Sequence, residues 1–148
     1  MKLDQLLLLP LHADLMIDNE PFALAGKVTV ELEGGDVRHW LFNTEGGLLS
    51  VSPDDEELVL FRSLDEEVEP ENETIGFQGK DYEFSYEDAG TVGVAEGITP
   101  VEADERYTFT EYESDDGETI RLVRNDNTGE SIAFVGSVVG EEDIVAVE

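Results

Sequence analysis

From Phe22 onward, apolar and polar positions alternate with period two, the pattern of strands with one face in a core and one in water. In "FALAGKVTVEL" this places Val28, Val30 and Leu32 on one face, and Gly34 and Gly35 supply the turn that follows. "DVRHWLF" is the returning strand, with Arg38, Trp40 and Phe42 on one face and Val37, His39 and Leu41 on the other. "NTEGG" then turns the chain into "LLSVS". "SPDDEE" predicts a turn or one helical turn, with Ser52 as N-cap and Pro53 in the first position. "LVLFRSL" is the next strand, and residues 65–73, "DEEVEPENE", form an acidic solvated loop.

The second half repeats the pattern. An apolar segment, "TIGF", precedes a turn at Gly79 and a strand alternating Tyr82, Phe84 and Tyr86. "TVGVAEG" reads as another strand after it. A loop leads to the aromatic strand of Tyr107 and Phe109, and "DDG" and "NDNTG" flank the strand "ETIRLVR". "ESIAFVGSVV" follows, and "GEEDIVAVE" predicts a helical turn with a last short strand. About nine short strands at spacings of about 8 to 12 residues predict an all-β fold, a mainly antiparallel sandwich or partly open barrel.

The start, "MKLDQLLLLPLHADLM", departs from this period. Asp4 interrupts its apolar run and Pro10 and His12 end it early, whereas a membrane-spanning helix needs about 20 apolar residues. Residues 1–20 therefore read as a docking segment, a short helix or extended stretch lying on the core. No direct membrane insertion and a cytoplasmic location are expected. The 148 residues fit a single domain, residues 1–148.

Charge changes the picture more than any motif. The chain has 37 acidic and 8 basic residues, a formal net charge of −29, yet 40% of its residues are hydrophobic, enough to fill a core. Such a surface repels itself at low salt and is screened at high salt. Only Lys2, Lys27 and Lys80 are lysines, and the composition resembles the cytoplasmic proteins of a salt-in halophile of the haloarchaeal type. Without a basic stripe, nucleic acid is not an expected partner. No cysteine is present, which excludes disulfides, thiolate metal sites and thiol nucleophiles.

Among candidate sites, the cluster 125–129 invites a cation-loop reading. An EF-hand frame with Gly129 in its sixth position puts Arg124 first and Val135 last, neither of which can ligate calcium, so a hairpin turn is expected. The acidic runs 54–57 and 65–67 read as solvated faces. His12 and His39 read as structural or surface residues, and no serine elbow, phosphate loop or dinucleotide motif occurs. No catalytic residue, metal ligand or cofactor is assigned. Aromatics at alternating strand positions belong mainly to a core, with any outward set a partner patch; Tyr86 and Tyr112, at strand ends, are the outward candidates. Scarce arginines in an acidic field are expected in ion pairs, and one at a contact would be selective. The candidate partner patch is Trp40, Tyr86, Tyr112, Arg38 and Arg121.

The stretches "GGDVRHWLFNTEGGLLSV", "IGFQGKDYEF" and "IAFVGSVVGEEDI" resemble, in order, a prokaryotic family of unknown function, the YjfK-like domains. The resemblance runs from about Leu15 to the end. It implies an adaptor that accompanies phage-shock-protein-A-like membrane-remodelling proteins, and it carries no catalytic motif. The expected function is a non-enzymatic binding or adaptor domain with a protein partner. Two alternatives stand beside it: a divalent-metal-assisted hydrolase or lyase using clustered carboxylates, and a structural subunit that self-assembles into a homo-oligomer.

Overall fold

A computed structural model describes residues 1–147. After helix α1 (Leu3–Leu7) the strands are β1 (Asp14–Ile17), β2 (Glu20–Leu32), β3 (Val37–Asn43), β4 (Leu48–Ser52) and β5 (Glu57–Ser63). There follow β6 (Thr74–Phe77), β7 (Lys80–Gly97), β8 (Arg106–Glu113), β9 (Thr119–Asn125), β10 (Ser131–Val139) and β11 (Ile144–Ala146). All pairings are antiparallel, and the order β2-β3-β4-β5-β10-β9-β8-β7 closes on itself through β2–β7. The result is an eight-stranded closed barrel. β1 and β11 extend from the start of β2, and β6 extends from the start of β7.

All-β, antiparallel and barrel agree with the reading of the pattern, and so does the short N-terminal helix. Closure and strand count differ from it. Among the described residues there are eleven strands: the docking segment contributes β1 and the apolar segment "TIGF" is itself the strand β6. The strand of Tyr82, Phe84 and Tyr86 and the strand "TVGVAEG" are one: β7 runs on through "DAG", pairing with β8 up to Thr91 and with β2 from Gly90 onward. A Cβ on Gly90 would lie 2.7 Å from the Glu31 carbonyl oxygen, so glycine is needed there for close strand approach rather than for a turn.

Three apolar clusters follow from the alternation. Inside the barrel, Val28, Val30, Trp40, Phe42, Leu48, Phe61, Phe109, Val123 and Phe134 pack together, with Trp40 and Phe109 edge to face at 5.6 Å. On one outer flank, Leu6 of α1 seats among Leu15, Ile17, Phe22, Leu41 and Leu49. Lys27 Nζ donates to the Leu7 and Leu9 carbonyls at 3.1 and 2.8 Å, fixing the end of this helix with a cation where its dipole favours one. On another flank Ile75, Phe77, Tyr82, Tyr112, Ile120 and Val135 pack beneath β6, and Val68 ties the acidic loop onto them.

Most of the scarce cations are engaged within the molecule. Arg106 bridges Glu33 and Asp126, Lys80 meets Asp116 and Glu118 at 2.9 and 3.3 Å, and Arg124 lies 3.6 Å from Asp126. Cluster 125–129 is the β9–β10 turn: Asn125 Oδ1 accepts from the Asn127 and Thr128 amides, and Gly129 takes φ +79°. Among the described residues no helix is long and apolar enough to cross a membrane.

Candidate binding site

Alternation on β3 turns Arg38 and Trp40 into the barrel, and register then fixes their company. Trp40 stands opposite Ser50 of β4. Across the barrel, Arg121 of β9 stands opposite Glu111 of β8, which stands opposite Tyr86 of β7. Four of the five residues of the sequence-derived patch thus meet, but inside the barrel rather than on its surface. Trp40 is 1% and Arg121 4% exposed, so a macromolecular partner cannot reach them.

The Arg121 guanidinium sits 4.7 Å from the Phe61 ring centre, 5.6 Å from that of Phe109 and 6.0 Å from that of Trp40. Its Nε and Nη2 donate to Glu111 Oε2 at 3.0 and 2.6 Å, and its Nη1 donates to Ser50 Oγ at 2.9 Å. Tyr86 donates its hydroxyl to the same Glu111 oxygen at 2.9 Å. Burial, and then the Glu111 charge, push the Tyr86 phenol well above its ordinary range, so it remains a neutral donor. The cluster ties β7, β8 and β9 to β4 through charge-assisted bonds. Arg38 lies nearer the rim, its Nη2 3.7 Å from the exposed Asp55.

Tyr112 is not part of this group. It faces outward from β8 yet is only 6% exposed, because β6 and Phe84 cover it; the two rings stack edge to face at 6.1 Å. The expectation of an outward aromatic at a strand end fails because the β6–β7 hairpin folds over that face.

His39, on the outer face of β3, is half-buried, and burial followed by the Lys27 charge lowers its pKa from the ordinary 6.5. A lowered histidine pKa means that the unfolded chain binds more protons, so its contribution is present above pH 6.5 and is lost as pH falls toward the folded value. His39→Gln is accordingly expected to flatten the fall in stability below that pH, read as the difference between variant and parent in parallel urea titrations. Equal slopes would contradict the assignment.

The acidic runs do not converge: among the described residues no group of three or more His, Asp or Glu side chains is placed to hold a metal ion. A different site was missed in the sequence. At the barrel end where β10 begins, an apolar cavity of about 350 Å³ is lined by Ala25, Phe42, Ile98, Pro100, Ile132 and Phe134. Ile98, 79% exposed, stands on its rim. The sequence signal was an isoleucine beside Thr99 and Pro100 in the loop "EGITPVEADE", which period-two reasoning passes over.

Comparison with curated proteins and with solved structures finds no match. The model of one family, described as "Domain of unknown function (DUF4178)", matches residues 15–141, and the chain belongs to this DUF4178 family.

Proposed function

We propose that this protein is a non-enzymatic binding domain, an adaptor that receives an apolar side chain of a protein partner in the open mouth of its barrel. The observation that carries the reading is the cavity of about 350 Å³ with Ile98 on its rim, an apolar opening in a chain of net charge −29. Its volume suits a ligand or anchor side chain, since binding pockets run from about 300 to 1,000 Å³. The acidic surroundings select a partner that flanks its apolar anchor with basic residues, because complementary charges still meet at contact distance at molar salt and like charges there reject acidic competitors. A coiled-coil, phage-shock-protein-A-like membrane-stress protein is the partner class that the resemblance to YjfK-like domains supports.

The test is affinity capture from the native host at molar salt, comparing the parent with Ile98→Glu. The proposal expects a discrete protein retained by the parent and lost by the variant, with both showing the same β-type circular dichroism. Identical captured sets would overturn it.

The salt-adapted setting is part of the same proposal, and the repulsion within a −29 chain supports it. Raising KCl from about 0.1 M to 1 M shortens the screening length from about 10 to 3 Å. Thermal midpoints are therefore expected to rise steadily across that range. A midpoint independent of KCl would remove this part of the reading.

A further inference from the structure

The barrel wall is incomplete at the mouth that holds the apolar cavity. β5 ends at Ser63, and Leu64 makes the last bond along its edge, its N–H donating to the Ala133 carbonyl at 2.9 Å. β10 reaches further, to Ser131, and there it pairs with β9 alone. Antiparallel pairing alternates, so Ser131 and Ala133 turn their backbone groups away from β9. The Ser131 N–H and C=O and the Ala133 N–H face the place that a longer β5 would occupy, and they have no backbone partner among the described residues. Such an edge is a template for one more strand.

A groove of about 720 Å³ lies along this edge. Leu64, Val68, Leu122 and Ala133 give it an apolar side, and Asp65, Glu66, Glu67 and Glu69 of the acidic loop give it a charged one. None of these four carboxylates takes part in an ion pair among the described residues. The groove and the apolar cavity meet at Ile132, which lines both. Ile132 and Phe134 belong to the packing inside the barrel, whereas Leu122 and its cross-strand neighbour Ala133 lie on the outer face. Alternation therefore assigns the two spaces to opposite faces of an added strand, the cavity to one and the acidic groove to the other.

Resting on the binding-domain reading above, we infer that the partner docks as an extended strand added to β10 at residues 131–133. One apolar side chain of that strand enters the cavity beside Ile98, and the basic residues that alternate with it face the acidic loop. Main-chain bonds to Ser131 and Ala133 hold the backbone, and the period of two sets the order of side chains. The recognised chemistry is thus basic, apolar, basic at consecutive positions of an extended chain. In a coiled-coil partner the recognised segment is an extended arm and not a helix face.

The probe is a short synthetic peptide alternating lysine and leucine, titrated into the intact protein at constant molar KCl. An isomer with its lysines and leucines in separate blocks is the control and should bind more weakly. Amide hydrogen exchange, read by NMR, is expected to slow about tenfold or more at Ser131 and Ala133 when the alternating peptide saturates the protein. Ser131→Pro removes one outward N–H at the first residue of a strand, where proline is tolerated, and should weaken the peptide about threefold to tenfold. Ile98→Glu examines the underlying reading and should abolish binding. Binding that leaves exchange at Ser131 and Ala133 unchanged, but is lost in Ile98→Glu, would overturn strand addition and keep the apolar mouth. Equal binding by the parent and Ile98→Glu would overturn the mouth itself. No binding of the alternating peptide would refute the recognised chemistry, and exchange in the parent decides alone if Ser131→Pro fails to fold.

Discussion

Arg121→Met is expected to destabilise the protein by about 3 to 5 kcal/mol, the cost of removing one partner from a buried ion pair. At about 2 to 4 °C per kcal/mol for a chain of this length, the thermal midpoint should fall by about 10 °C. The loss arises less from missing attraction than from what remains: Glu111 would stay inside the barrel with Tyr86 as its only hydrogen-bond donor. Arg121→Met with Glu111→Leu should therefore recover most of the stability, because an apolar pair of similar volume escapes the desolvation of two charges. Urea unfolding of the two single variants and the double variant gives the coupling. Additive effects would mean that the buried cluster does not act as a unit.

The second large effect is expected at Gly136. A Cβ there would lie 2.0 Å from the Leu60 carbonyl oxygen and 2.7 Å from the Phe61 Cα, both backbone atoms that cannot rotate away. β5 and β10 pair at this point, Gly136 opposite Phe61. Gly136→Ala must either separate these strands or bend them, at about 3 kcal/mol or more, the upper range of overpacking. Gly34→Ala is the control: a Cβ there meets nothing within 4 Å, and a change within about 0.5 kcal/mol is expected. Hydrogen exchange in the Gly136 variant should rise first in β5 and β10. Unaltered protection in those strands would contradict the close approach.

What the sequence made legible was local. Period two placed Arg38, Trp40 and Phe42 on one face of β3, and the structure turns that face into the barrel. It could not show that β5 pairs with β10, because partners separated by so many residues are chosen by whole-barrel packing and not by either strand's own pattern. The continuity of β7 through Gly90 was not legible, because a glycine accompanies a strand end and a close strand approach alike. Simple alternation also put Tyr82, Phe84 and Tyr86 on one face. A bulge between Phe84 and Tyr86 breaks it, sending Tyr86 inward to Glu111 and leaving Phe84 outside against Tyr112.

The same limit governed the candidate site. Arginine scarcity drew notice to Arg38 and Arg121, and both are held by carboxylates as expected of cations in an acidic chain. Their burial was not legible, since only a closed barrel converts one strand face into an interior. The apolar cavity is assembled from β2, β3 and the turn after it, the end of β5, β10 and the loop after β7, stretches with no sequence pattern in common.

The most direct test of the proposed function is site-specific photo-cross-linking in the native host. A photoreactive residue replaces Ile98 at the apolar mouth and, in a separate variant, Val138 near the far end of β10, which is also exposed. The binding-domain account predicts a single cross-linked partner from position 98, attached through an apolar segment flanked by basic residues, and none from position 138. Cross-links from position 138 alone, or the same products from both positions, would contradict it.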